Sequence, residues 1–112
     1  MKIAIPMADG KFSMHFGHCD SYALFDVDPT DKTILRREDI DAPPHVPGQL
    51  PPWLARHGAE LVIAGGMGQR AQQLFAQDGI RVVLGAAAAT PESLVGDYLA
   101  GTLQTSQNIC DH

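Results

Sequence analysis

The sequence is poor in the features that mark secreted, membrane or nucleic-acid-binding proteins. Only two cysteines, Cys19 and Cys110, occur in 112 residues, too few for the disulfide framework of a small extracellular domain. They could form one bridge, but in a reducing cytosol they are expected as thiols, and free thiols can bind metal. No window approaches the ~20 apolar residues of a membrane span, and Met1-Lys2-Ile3-Ala4-Ile5-Pro6 lacks the apolar stretch of a secretory signal. A cytoplasmic protein without membrane contact is expected. Cations are scarce too: 8 Lys and Arg face 13 Asp and Glu, for a net charge of −5, and only Arg36 and Arg37 are adjacent. Such a chain is repelled by phosphate backbones, so no nucleic-acid partner is expected.

Catalytic signatures are missing as well. There is no Gly-x-Ser-x-Gly elbow, and Cys19 lies too close in sequence to His15 and His18 to resemble a papain-type pair. Asp9, Asp20 and Asp26 could be read as a two-metal nuclease set, yet Asp26 belongs on a strand face opposing Phe25, and the acidic balance disfavours the substrate. The expectation is a protein that binds rather than catalyses. A hydrophobic content of 45% with 19% charged residues describes an ordinary globular chain, and 112 residues make a single domain, 1–112, with a polar tail from about residue 102.

Hydrophobic periodicity supplies the elements. Lys2 to Met7 alternates as a short strand that stops at Pro6, and the glycine-bearing stretch through Asp20 reads as a loop. Ser21 to Val27 and Thr33 to Ile40 form two antiparallel strands about the turn Asp28-Pro29-Thr30-Asp31. The proline-rich segment Asp41 to Pro52 is an extended connection, on its plainer reading a rigid linker, ending in a helix with Leu50, Trp53, Leu54 and His57 on one face and Gly58 as its cap. Leu61-Val62-Ile63-Ala64 reads as a strand buried on both faces. Gly65-Gly66-Met67-Gly68 follows, then a helix from Gln69 to Gln77 with Ala71, Leu74 and Phe75 inward, then the strand Ile80 to Leu84. Thr90-Pro91-Glu92 opens a last helix that Gly101 ends. Three strands followed by helix, strand, helix, strand, helix predict an α/β domain whose mixed five-stranded sheet carries packed helices.

Soft and borderline metal ligands gather at two places. His15, His18 and Cys19 share the first loop, Cys110 and His112 the end, and His45 can join from the proline segment. Imidazole and thiolate suit zinc, copper and iron. The plainer reading of the same residues is a partly buried thiol, surface imidazoles and a tail. The run Gly65-Gly66-Met67-Gly68-Gln69-Arg70 joins a buried strand to a helix start, where free N–H groups and the helix dipole favour an anion. It lacks the Lys-Ser/Thr of a P-loop and the full dinucleotide fingerprint, and its plainer reading is tight strand-to-helix packing. If the first and fourth strands are neighbours, this bend and the first loop emerge at one edge of the sheet.

Four strings together carry a resemblance over nearly the whole chain: Ser13-Met14-His15-Phe16-Gly17-His18-Cys19, Pro44-His45-Val46-Pro47-Gly48-Gln49-Leu50-Pro51, Ala64-Gly65-Gly66-Met67-Gly68-Gln69-Arg70-Ala71 and Asn108-Ile109-Cys110-Asp111-His112. In this order they resemble the dinitrogenase iron–molybdenum cofactor family, which includes nitrogenase accessory proteins and stand-alone domains. The resemblance implies a three-layer ribonuclease H-like fold with helices on both faces of the sheet. It also implies binding or carriage of an iron–sulfur or molybdenum-containing cluster between donor and acceptor proteins. In accessory relatives the histidine before Phe-Gly contributes to cofactor binding, a role that maps onto His15. Cys19 corresponds to the cysteine after Phe-Gly-x of the stand-alone members, including those that hold a molybdenum–copper sulfide cluster. A polyanionic cluster would draw on the N–H groups of Gly66 to Gln69, the cation of Arg70, and a lining of Met14, Phe16 and Met67. Zinc or copper held by His15, His18, Cys19, Cys110 and His112 is the alternative cargo, and a metal-free module for a small molecule or partner is the third reading.

Overall fold

A computed structural model describes residues 1–13, 19–43, 49–87, 89–103 and 105. Among these residues the chain forms a six-stranded mixed sheet and three helices. The strands are β1 (Lys2–Ala8), β2 (Lys11–Phe12), β3 (Ser21–Asp28), β4 (Thr33–Asp41), β5 (Leu61–Ile63) and β6 (Arg81–Val83); the helices are α1 (Leu50–Arg56), α2 (Gln69–Gln77) and α3 (Pro91–Ala100). The sheet runs β4-β3-β1-β5-β6, with β2 paired to the end of β1. β1 is antiparallel to β3 and parallel to β5.

The sheet therefore has six strands where the sequence reading expected five. Asp9 (φ 53°) and Gly10 (φ 77°) make a tight hairpin turn that pairs Met7 with Phe12 and Ala8 with Lys11. β1 also passes through Pro6 instead of stopping there. Met1 and Val27 exchange both backbone bonds, so the alternation of an antiparallel ladder leaves Pro6, opposite Tyr22, at a position that donates nothing to β3. Its carbonyl accepts from the Ser13 N–H at 2.9 Å.

Strand alternation divides the core into two. Ile3, Ile5, Phe25, Leu61 and Ile63 pack with Leu94 and Val95 of α3 on one face. Ala4, Tyr22, Leu24 and Val62 pack with Leu54 of α1 and Phe75 of α2 on the other. α3 is delimited as its sequence predicts: the Thr90 hydroxyl accepts from Ser93 N–H at 3.2 Å, and Gly101 (φ 76°) closes the helix in the left-handed conformation. The Arg37 guanidinium of β4 reaches Glu92 in the first turn of α3 and lies over the Phe25 ring, 5.5 Å from its centroid. No helix among the described residues is long and apolar enough to cross a membrane.

Candidate functional site

The parallel pairing of β1 with β5, in the register Ile3 to Leu61 and Ala4 to Val62, sends the segments after both strands out of the same end of the sheet. Antiparallel pairing then brings the start of β3 and the end of β4 to that end, since Met7 pairs with Ser21 and Ser21 with Asp41. Short backbone bonds pin the segments there: Asp20 N–H to Met7 O at 2.8 Å, and Ala42 N–H to Asp20 O at 3.0 Å. The exit of β6 arrives as well. Gly85, at φ 82°, donates to Gly65 O at 2.9 Å, and Ala86 donates to Ala64 O at 3.3 Å. Thr105 forms an antiparallel bridge with Ala86, so the chain returns to this rim after α3.

His15, His18, His45, Cys110 and His112, with Met14 and Phe16, lie outside the described residues. Ser13, Asp20, Ala42 and Thr105, at or near the ends of those segments, are held at this one rim by backbone pairing to Pro6, Met7, Asp20 and Ala86. Cys19 is a half-buried free thiol that packs at the margin of the apolar cluster containing Tyr22, Leu54 and Met67. Its S–H donates to the Tyr22 hydroxyl, with sulfur and oxygen 3.0 Å apart. Burial pushes the Cys19 thiol up from its ordinary value, and its hydrogen bond with Tyr22 opposes that shift. Burial drives the Tyr22 phenol far up as well, with Cys19 adding to the effect. The neighbouring Asp20 carboxylate turns away to accept from Asp9 N–H at 3.1 Å.

The glycine bend takes its shape from the core beneath it. Gly65, Gly66 and Met67 are buried, whereas Gly68, Gln69 and Arg70 are exposed. The Met67 side chain is 1% exposed and joins the cluster of Leu54, Val62 and Phe75, and its carbonyl accepts from Gln72 Nε2 at 3.0 Å. Gly68 is the N-cap of α2, in extended conformation, and no side chain caps the first turn. A Cβ at Gly68 would meet nothing within 4 Å. The rim thus offers a soft donor on one side of β1 and an uncapped helix start on the other. Among the described residues no group of three His, Cys, Asp or Glu side chains could hold a metal ion.

Tyr22 is the participant that sequence reasoning missed. It was legible only as one residue of an alternating strand. Its place three residues after Cys19, where the chain turns into β3, is what folds the phenol back to the thiol.

The sequence profile of the family described as dinitrogenase iron–molybdenum cofactor matches residues 1–101. Among solved structures, that of PH0822 is similar with a TM-score of 0.86 at 28% identity, over 95% of this chain and 95% of that one. A protein provisionally named a dinitrogenase, mj0327 from Methanocaldococcus jannaschii, is 17% identical with a TM-score of 0.75, over 96% of each chain. The apo form of the orange protein from Desulfovibrio gigas is 23% identical with a TM-score of 0.73, over 96% of this chain and 93% of that one. These last two likenesses speak to the fold alone. No curated protein matches the chain.

Proposed function

The chain belongs to the dinitrogenase iron–molybdenum cofactor family, and from that premise we propose that it binds a metal–sulfur cluster, iron–sulfur or molybdenum-containing, as cargo passed between donor and acceptor proteins without turnover. The ribonuclease H-like assignment of its three layers and a cytoplasmic setting belong to the same proposal. The observation that carries it is the meeting at one sheet rim of the Cys19 segment and the Gly65 to Gly68 bend.

The residues present suit such a guest. A sulfide cluster is polyanionic and thiophilic. Cys19 supplies a thiolate, and His15 and His18 of the same loop supply imidazoles. The uncapped first turn of α2, with open space at Gly68, turns N–H groups and the positive end of the helix dipole to an anion. Arg70, exposed in that turn, adds a cation. Few ligands and many weak donors hold a cluster loosely enough to release, whereas a closed four-ligand zinc site resists unloading.

Reconstitution without oxygen tests the reading. Protein loaded with iron, molybdate and sulfide is expected to retain acid-labile sulfide and sulfide-to-metal absorption, and to lose both in part in His15→Ala and Cys19→Ser. Stoichiometric zinc or copper without acid-labile sulfide would replace the cluster by a plain metal site. No uptake of either, with a Tm indifferent to chelator, would leave a module for a small molecule or partner.

A further inference from the structure

We propose that the free edge of β4 pairs with the same edge of a second copy of this chain, antiparallel and centred on Arg37, in a weak and salt-sensitive dimer. β4 closes one side of the sheet, and among the described residues no strand lies beyond it. All of its residues but Ile40 are exposed. Leu35, 66% exposed, and Ile34, 36% exposed, are the large apolar side chains most open to solvent among the described residues.

The ladder decides which backbone groups of this edge are free. Ala42 N–H bonds to Asp20 O, and Val27 N–H bonds to Met1 O. With Tyr22 opposite Ile40, Leu24 opposite Glu38 and Asp26 opposite Arg36, antiparallel alternation turns the N–H and C=O of Arg36, Glu38 and Ile40 toward β3 and those of Arg37 and Asp39 outward. A second β4, reversed about a two-fold axis at Arg37, exchanges both backbone bonds between the two copies of Arg37. It also sets Arg36 opposite Glu38 twice, in the non-hydrogen-bonded pairs where side chains stand closest.

Charge selects the partner. A row of charges keeps most strands away from an open edge, but on the face of Arg36 and Glu38 this row complements itself when reversed. Arg36 is held to that face by Asp26 at 4.0 Å and Glu38 at 3.7 Å. On the other face the Arg37 guanidinium is engaged by Asp39 and Glu92 and lies over Phe25, so the two arginines at the axis meet already neutralised. The register shift between Asp26 and Val27 passes over Leu35 and ends the regular edge. It keeps the seam short, hence the dimer weak, and leaves Leu35 at its end to be covered by the second copy. Reversal of β4 also sends the two rims to opposite ends of the joined sheet, because the rim lies at the Asp41 end of the strand. Pairing thus leaves both rims open.

Sedimentation of the full chain reads this out. The wild-type protein is expected to associate with a dissociation constant of about 100 μM, and more weakly in high salt. Arg36→Glu and Glu38→Arg each set like charges opposite one another twice and should weaken association by about tenfold or more. Mixed in equal amounts, the two variants should regain the wild-type strength, since the introduced glutamate meets the introduced arginine and the native pair re-forms beside them. Both variants stay net acidic, so bulk attraction between them does not produce that result. A chain that stays monomeric up to about 1 mM, single variants that associate like the wild type, or a mixture no stronger than its parts would each overturn the proposal. Hydrogen exchange on the wild type covers variants that fail to fold. Exchange at the N–H groups of Arg37 and Asp39 should slow as protein concentration rises, while that of Glu38, bonded to β3, stays constant. Exchange at Arg37 that ignores concentration overturns the pairing.

Discussion

Gly68→Asp separates an anion site from the fold that carries it. Gly68 caps α2 at φ −64° and ψ 153°, the geometry of an ordinary N-cap, with no side chain on the first-turn N–H groups. Open space around its absent Cβ admits a larger residue. An aspartate there gains a few tenths of a kcal/mol over glycine as a cap. The helix dipole adds about 0.5 kcal/mol, and the smaller entropy of the unfolded chain about 0.5 kcal/mol more. The variant is expected to be stabilised by about 1 kcal/mol, with Tm raised by about 5 °C. The same carboxylate opposes a polyanionic guest. Two like charges about 5 Å apart repel by about 1 kcal/mol in water and about 3 kcal/mol at an effective dielectric of 20. Cluster loading should therefore weaken by about tenfold or more, and added salt should relieve part of the loss. Gly68→Asn makes the cap without the charge, so it should gain less stability than the aspartate and lose less of the loading. Thermal melts and anaerobic loading titrations on the three proteins decide it. An aspartate variant that melts higher and loads like the wild type would refute the anion cradle.

Trp53 is the single tryptophan, one ring away from the phenol that bonds Cys19, so its emission should fall as cluster is loaded and the quench should vanish in Cys19→Ser. Full emission from protein that carries acid-labile sulfide would place the guest elsewhere. Hydrogen bonding to Arg37 holds the Glu92 carboxyl below the usual carboxylate range. Its contribution is complete above the ordinary carboxylate value and is lost as pH falls through the lowered one, so Arg37→Met should flatten that acid limb of stability. Both partners are partly exposed, which limits the loss at neutral pH to about 1 kcal/mol or less, and an unchanged acid limb in urea titrations would dismiss the pair. Leu54→Ala empties a position that is 0% exposed under α1 and should cost about 3 kcal/mol. A loss below about 1 kcal/mol in urea denaturation would contradict the burial.

Local chemistry made most elements readable. Thr90-Pro91-Glu92 and Gly101 bracket α3, and Leu61-Val62-Ile63 is buried on both faces because helices cover both sides of β5. β2 escaped notice for lack of length. Asp9-Gly10 is the dipeptide of a type I′ turn, yet only Lys11 and Phe12 pair beyond it, too short a run to alternate visibly. Pro6 misled for a related reason: the cost of a proline in a strand depends on which neighbour its nitrogen faces, and that is a property of the ladder rather than of the residue.

The meeting of the first loop and the glycine bend at one edge was legible only on the condition that the first and fourth expected strands are neighbours, which their ladder as β1 and β5 fulfils. β1 is the strand at which the sheet changes from antiparallel to parallel, with β3 on one side and β5 on the other. The segment ending at Cys19 enters β3, and the glycine bend leaves β5, so both must lie at the C-terminal end of β1. Ligands in open α/β sheets gather outside the carboxyl ends of strands, where connections part or meet. Here the change of direction at β1 sets two different chemistries side by side. The antiparallel side delivers a thiol from a strand entrance, and the parallel side delivers uncapped amides from a helix start. On the proposal that the guest is a thiophilic and polyanionic cluster, this junction supplies both chemistries at one rim of the sheet.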